Sequence, residues 1–435
     1  MPGEVAHVNV RNPVVRIVLI LLLLAAGVWS YFAIRWFIGN TLAEYFNPAP
    51  TDFKVAQMAV DLAPRDPLPH WRLAQVSQKL LPLDQQAHAI AEYERAVSLS
   101  PNDYRFWMAL GTAHEQAGDS AKGEQALRRA VALAPAYSYP HWYLGNLLLR
   151  SARYDEAFKE LRLAAEADVE LEPQQFNFLW AIYSDNLEAL KIAMGEGSDR
   201  RARFALYLLN QQRHDDGLRV WDGLSGEEKK TNRDIANSMV TNLITFRRYH
   251  QAMKVWNDIA PNERYRAELG TVFDGSFEDA INYAPEMVFG WQVKEAPQLQ
   301  IGIDPDKSNG GVRSLRIVFQ VRSNLEGLNI AQLVPVEPNS EYDFEYYFMT
   351  EKLESGSAPM IQVLDAATSA LLTTSPQAPS GSNPWTRVNL SFKTDAKTQA
   401  VSLRVVRINC SDEETPICPI FGSIWYDDFS FKRRR

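Results

Sequence analysis

FWMALGTAHEQAGDSAKGEQALRRAVALAP, residues 106–135, and PHWYLGNLLLRSARYDEAFKELRLAAEADV, residues 140–169, decide the architecture of the first half of the chain. Shifted by thirty-four residues, Leu110 and Gly111 fall on Leu144 and Gly145, Leu127 on Leu161, and Ala130 on Ala164. Gly118 and Gly123 fall on Ala152 and Ala157. Apolar residues recur at helical spacing, and Pro135 closes the first segment. The same period runs upstream, where Ala96 and Pro101 stand thirty-four residues before Ala130 and Pro135 and Ala63-Pro64 ends a still earlier helix. Downstream, RHDDGLRVWDGLSG (213–226) and RYHQAMKVWNDIAP (248–261) repeat at an offset of thirty-five, with Arg213 on Arg248, Val220 on Val255 and Trp221 on Trp256. The repeating unit is a pair of helices, and about six such pairs fill residues 52–265. One pair cannot bury its apolar faces alone, so the pairs must stack.

Trp107, Leu110, Gly111, Leu127, Ala130 and Pro135 resemble the signature of the tetratricopeptide repeat. The resemblance implies a solenoid whose first helices line a concave groove, with groove-facing places at fixed positions in each repeat. Those places hold Trp71, Gln75, Gln78 and Lys79, then Arg105, Met108, Thr112, Glu115 and Gln116, then Tyr139, Trp142, Asn146, Leu149 and Arg150. Amide, guanidinium and aromatic groups on one face suit an extended peptide or glycan, so Trp71, Gln75, Tyr139, Trp142, Asn146 and Arg150 are the candidate contacts for a protein partner. The two Pro-His-Trp starts, 69–71 and 140–142, serve either as such anchors or as plugs between repeats.

Toward the N-terminus, Ile17 to Ile34 read IVLILLLLAAGVWSYFAI, eighteen residues without a charge or a proline. A bilayer crossing needs about 20 apolar residues over about 30 Å, and Trp36, Phe37 and Ile38 complete it. The alternative, a cleaved secretory signal, has a shorter apolar core and a small-residue cleavage site. Residues 17–38 are therefore expected to be a transmembrane anchor, preceded by a cytoplasmic segment, 1–16. Arg11 and Arg16 before the helix outnumber Arg35 after it, which puts the N-terminus in the cytoplasm and the body in the periplasm, held at the inner membrane.

From about residue 271 the texture changes to short alternating stretches separated by Gly, Pro, Ser and Asn. SLRIVFQV, LNIAQLVPV, YDFEYYFMT, PMIQVLDA, RVNLSFKT, AVSLRVVRI and SIWYDDFSF are seven candidate strands, with no long amphipathic helix between them. The order GSFED, FGW, NGGVRSLRIVF, VEPNSEYDFEYYF, NPWTRVNLSF and IWYDDFSF resembles carbohydrate-binding modules of the galactose-binding-like jelly-roll class. The expected whole is multidomain: a single transmembrane helix, an all-α tetratricopeptide-like solenoid, and an all-β jelly-roll sandwich over 271–432.

Composition narrows the function. With 45 Lys and Arg against 53 Asp and Glu, the net charge of −8 excludes a nucleic-acid partner. All seven histidines precede the sandwich, and no GxSxG, HExxH, phosphate loop or GxGxxG occurs, so no enzymatic activity is expected. In YDFEYYF, alternation puts Tyr342, Phe344, Tyr346 and Phe348 on one face, which frees Glu345 and Tyr347 as carbohydrate candidates. Trp291, Trp385 and Trp425 match positions that mostly serve the core of such modules. In WYDDFSF the same alternation puts Asp427 on the face of Trp425, Phe429 and Phe431, where a buried carboxylate needs a proton, a cationic side chain such as Arg316 or Arg404, or a metal. The module resemblance implies a structural calcium held by Glu278 and Asp427. Cys410 and Cys418 flank the polar run SDEETPI; as a disulfide in an oxidising compartment they would contribute about 2–3 kcal/mol, and the alternative is two free thiols. These readings converge on a membrane-anchored scaffold that binds a protein through its repeats and a glycan through its jelly roll, in export or assembly of a cell-surface polysaccharide. The rivals are a glycan-cleaving or glycan-modifying enzyme and a purely structural envelope subunit.

Overall fold

The computed structural model describes residues 11–45, 52–79, 83–195, 197–279, 288–293, 299–319, 328, 330–408 and 419–434. Two compact units divide the chain at Glu196/Gly197. The first holds helices α1 (Pro13–Tyr45), α2 (Phe53–Leu62), α3 (Pro67–Gln78), α4 (Leu83–Leu99), α5 (Tyr104–Gln116), α6 (Ser120–Leu133), α7 (Ser138–Arg150), α8 (Tyr154–Ala167), α9 (Glu172–Tyr183) and α10 (Leu187–Met194). The second holds α11 (Ser198–Asn210), α12 (His214–Asp222), α13 (Gly226–Thr231), α14 (Arg233–Thr245) and α15 (Tyr249–Ile259), followed by ten strands.

The helix boundaries follow from side chains that satisfy the first backbone N–H groups. Asp66, Asp103 and Asp119 each accept such a bond at the start of α3, α5 and α6. Small residues set the spacing within each pair: a Cβ on Gly111 would stand 2.6 Å from Leu127 Cγ, and one on Gly145 2.7 Å from Leu161 Cγ. Leu127, Ala130, Leu144, Leu161 and Ala164, the residues that carry the repeat, are fully buried.

Helix α1 is one continuous segment of 33 residues, apolar and long enough to cross a membrane. Sequence reading ended the apolar span at Ile38, yet the helix runs on to Tyr45 and packs against α2. A Cβ on Gly39 would lie 2.8 Å from Ala63 Cβ, the same close approach that Gly111 and Gly145 make. The end of α1 is thus the partner that α2 needs to form the first pair of the array.

In the second unit all seven strands expected from alternation are present, together with three others. The ten are β1 (Gln292–Val293), β2 (Leu299–Asp304), β3 (Ser314–Phe319), β4 (Ile330–Pro335), β5 (Glu341–Ser355), β6 (Met360–Asp365), β7 (Leu371–Thr374), β8 (Gly381–Lys393), β9 (Ala400–Val406) and β10 (Ile420–Arg433). They form two antiparallel sheets, ordered β1-β4-β9-β6-β7 and β2-β3-β10-β5-β8. Leu315, Ile317, Phe344, Tyr346, Ile424 and Tyr426 from one sheet meet Ile330, Val334, Ile361, Val363, Val401 and Leu403 from the other in a continuous core. Helix α15 is fastened to this sandwich: Tyr249 donates to the Ala366 carbonyl at 2.9 Å, His250 Nε2 meets the Val336 carbonyl at 2.8 Å, and Asn257 bonds Ala267 through both carbonyl and N–H.

Candidate functional site

The groove of the first unit is a cavity of about 710 Å³ between α3, α5 and α7. Trp71, Tyr93, Met108 and Tyr143 give it apolar walls, while Gln75, Gln78, Gln116, Lys79, Arg105 and Arg150 supply polar groups. The floor is ordered by a ladder of amides. Tyr93 Oη donates to Gln78 Oε1 at 2.7 Å, and Gln78 Nε2 donates to Gln116 Oε1 at 2.7 Å. Burial pushes the Tyr93 phenol well above its usual range, so it stays a neutral donor. Glu115 holds Arg150 at 2.5 Å at one end of the cavity. The Trp71 indole packs on Phe106 with ring centres 5.7 Å apart, and its Nε1, though buried, bonds no protein atom among the described residues.

Of the six groove residues proposed from sequence, the structure gathers Trp71, Gln75 and Arg150 around this cavity. The other three lie outside its lining. Tyr139 is exposed at the start of α7, Trp142 turns toward α9 to meet Phe178 at 6.0 Å, and Asn146 bonds back to the Trp142 carbonyl at 2.8 Å. Sequence reading missed Tyr93, which reaches in from a second helix, and Tyr143, one helical step beyond Trp142.

The Pro-His-Trp starts have a second use. His70 and His141 are buried; each places Nδ1 2.6 Å from a glutamate, Glu92 or Glu160, and Nε2 against a loop carbonyl, that of Pro64 at 3.1 Å or Pro135 at 3.0 Å. Burial pulls the His70 imidazole down, but its bonds to Glu92 and the Pro64 carbonyl outweigh that and hold its pKa above the ordinary value. These histidines tie each first helix to its partner and to the preceding turn, while the adjacent tryptophans face the groove side.

In the sandwich the alternation of β5 holds: Tyr342, Phe344, Tyr346 and Phe348 are buried in the core. Glu345 and Tyr347 lie on the opposite face, but Glu345 is not free, because Arg387 of the neighbouring strand is ion-paired with it. The parity of β10 differs from expectation. Asp428 adopts φ +52°, and between Asp427 and Ser430 three steps on β10 oppose two on β5, a β-bulge. Tyr426 and Phe429 therefore both face the core, while Trp425 and Asp427 point away from it. Neither is exposed, because the β2–β3 loop folds over both. Lys307 Nζ sits 4.2 Å from the Trp425 ring centre, Arg316 lies 5.3 Å from it, and the indole donates to Asp304 at 2.8 Å. Trp425 is thus unavailable for stacking, and Trp291 is buried between Phe277 and Phe429.

Glu278 and Asp427 grip neighbouring stretches of one loop, that between β2 and β3. Asp427 Oδ2 accepts from the N–H groups of Asn309 and Gly310 at 2.7 and 3.2 Å; Glu278 Oε1 accepts from those of Val312 and Arg313 at 2.9 and 3.3 Å. Asp427 is fully buried, and among the described residues no Lys or Arg bonds it: Arg316 lies over Trp425 and Arg404 bonds Ser402. Burial, together with the neighbouring Asp428, pushes its carboxyl up to about 6, against the pull of the loop N–H groups. The two carboxylates offer oxygen donors only, which fits a hard cation in donor type, although the Arg313 guanidinium stands beside them, bonded to the Glu278 carbonyl at 3.1 Å. Among the described residues no three carboxylate, His or Cys groups gather in metal-holding geometry, so backbone or solvent oxygens would have to complete its shell. Cys410 and Cys418 lie outside the described residues.

Comparison with solved structures returns likenesses to each part of the chain. A structure described as "CBM4 structure and function" is 10% identical, spans 38% of this chain and 99% of its own, and gives a TM-score of 0.28. The MamA protein is 13% identical over 50% of this chain and 95% of its own, with a TM-score of 0.28. YrrB, a TPR protein with an unusual peptide-binding site, is 15% identical over 48% and 93%, with a TM-score of 0.25. No curated protein sequence matches the chain. Residues 104–137, which are helices α5 and α6 with their flanking turns, match the tetratricopeptide-repeat family, so the helical array contains a repeat of that family at the centre of its groove.

Proposed function

We propose that this protein is a single-pass membrane scaffold whose helical groove captures a segment of a partner protein and whose jelly roll binds glycan. The observation that carries the reading is the groove between α3, α5 and α7, where aromatic walls flank an ordered amide floor. Extended chains present alternating carbonyl and N–H groups, and glutamine amides meet both, while Trp71 and Tyr143 receive apolar side chains. The chain acts by binding and not by catalysis, with N-terminus in the cytoplasm and body in the periplasm, and its context is export or assembly of a surface polysaccharide. Glu345, Tyr347 and Arg387 on the outer face of the sandwich are the groups offered to a sugar, and Glu278 and Asp427 are the residues that would hold a calcium, which would supply structural stability there.

Affinity purification of the full chain from membranes tests the groove. Tyr143→Ala and Gln75→Ala together should weaken capture of the partner by about 2 kcal/mol, close to thirtyfold, with the helical circular dichroism unchanged. A partner retained equally by wild type and variant would make the groove structural only. A polysaccharide panel screened for both binding and release of reducing ends separates glycan binding from cleavage.

A further inference from the structure

Contacts within the first unit define the direction of each helix relative to α1. Trp36 Nε1 and Asn40 Nδ2 of α1 both bond Asp66, the N-cap of α3, at 2.8 and 2.9 Å, and Arg72, six residues on, bonds the Ala43 carbonyl at 2.9 Å. Helix α3 therefore runs parallel to the end of α1. Helix α5 runs parallel to α3, because Trp71 meets Phe106 near their starts and Gln78 meets Gln116 at their ends. Helix α7 repeats the pattern: Tyr104 lies 5.2 Å from Tyr137, its N-cap residue, and Glu115 pairs with Arg150 at the far end. The N-termini of α3, α5 and α7 thus form one edge, on the side from which α1 arrives.

A span beginning at Ile17 and about 20 residues long ends near Trp36, which is the residue that bonds Asp66. The edge therefore begins at the level where α1 would leave the hydrocarbon. Tyr104, Tyr137 and Tyr139 lie along it, and the last two are 59% and 54% exposed, although aromatic groups of this size are ordinarily covered. A phenol ring with one apolar and one polar end suits the headgroup layer of a bilayer. The opposite edge carries the larger charge network: Glu124 and Glu156 pair with Arg128 and Arg153, and Lys122 pairs with Asp119, against the Asp103–Arg105 pair beside Tyr104.

We propose that the helical array lies alongside the bilayer, with the edge carrying Tyr104, Tyr137 and Tyr139 resting in the lipid headgroup layer. The proposal rests on the reading that α1 spans the membrane. It makes the groove a membrane-surface feature, open only to chain segments close to the lipid.

The test uses the full chain in phosphatidylcholine vesicles, with a fluorescent non-natural amino acid at position 137, 122 or 29. Position 122 marks the opposite edge and position 29 lies within α1. Nitroxide on the lipid headgroup should quench the probe at 137 and leave the probe at 122 unchanged, while nitroxide deep in the acyl chain should quench the probe at 29. Equal headgroup quenching at 137 and 122, with position 29 quenched, overturns the proposal and leaves the anchor standing. An unquenched probe at 29 overturns the spanning reading itself, and the proposal with it. Because Tyr137 and Lys122 are exposed, the probes leave the core intact, as an unchanged melting curve would verify.

Discussion

Asp427 shows where a residue's chemistry outran its sequence context. Its burial was expected from a face shared with Phe429 and Phe431, but it comes from the β2–β3 loop on the opposite face, and its partners, the N–H groups of Asn309 and Gly310, stand more than a hundred residues away and follow no local pattern. Gly311 marks the tightness of that loop: at φ +60°, a Cβ there would fall on the Glu278 carboxylate. With its folded pKa raised to about 6, Asp427 in the metal-free protein contributes stability that is complete below the ordinary carboxylate range and lost as pH rises through about 6. Calcium binding reverses that sense, since it requires the ionised form. Calcium should therefore raise the melting temperature at neutral pH, and the shift should disappear on acidification to about pH 5. Asp427→Ala should abolish the shift, whereas Asp428→Ala, whose carboxylate bonds the Asn309 side chain instead, should retain most of it. Absence of a calcium shift at every pH would leave Asp427 as a clasp on its loop alone.

At the scale of elements, periodicity read the helices and most strands correctly because each buries one face continuously. It failed where an element changes environment partway along. The bulge at Asp428 shifts the parity of β10, so that Ile424 and Tyr426 before it and Phe429 and Phe431 after it all face the core, and nothing in the run WYDDFSF announces it. Helix α1 is the second case: its apolar stretch masks Gly39, so the shared role of its last turns in the first pair was invisible, although Ala63-Pro64 marked the helix it packs against. The groove was legible by half, since a register counted along one helix locates Trp71, Gln75 and Arg150 but not Tyr93, which a different helix delivers. Gly111 tests how closely the pairs are set. Gly111→Val must push Leu127 and the Gly123 carbonyl, which stand 2.6 and 3.0 Å from the added Cβ, and should lower stability by about 1–3 kcal/mol. Chemical denaturation of the full chain against the surface variant Lys122→Val would measure it; an equal loss in both would mean that the pair spacing is slack.

For the molecule as a whole, compartment decides the state of Cys410 and Cys418. Export of the body predicts that thiol mass-tagging of the native, unreduced protein detects none, that reductant exposes two, and that a periplasmic reporter fused after Arg435 is active where a cytoplasmic one is silent. Two thiols reactive without reductant, with the cytoplasmic reporter active, would reverse the topology. The continuity of α1 with the array has one more consequence. A coil between anchor and body would let the groove sweep a volume that grows with linker length, but α1 runs unbroken into the first pair, and Arg35, Trp36, Asn40 and Arg72 clamp the junction, so that no coil would intervene if α1 spans a bilayer as proposed. Such a mast has no slack. With α1 in a bilayer as proposed, its freedom would reduce to the tilt that bilayer thickness imposes on the helix, and encounter with a membrane-bound partner would become a two-dimensional search, governed by how many copies share the same patch of membrane rather than by their concentration in the surrounding fluid.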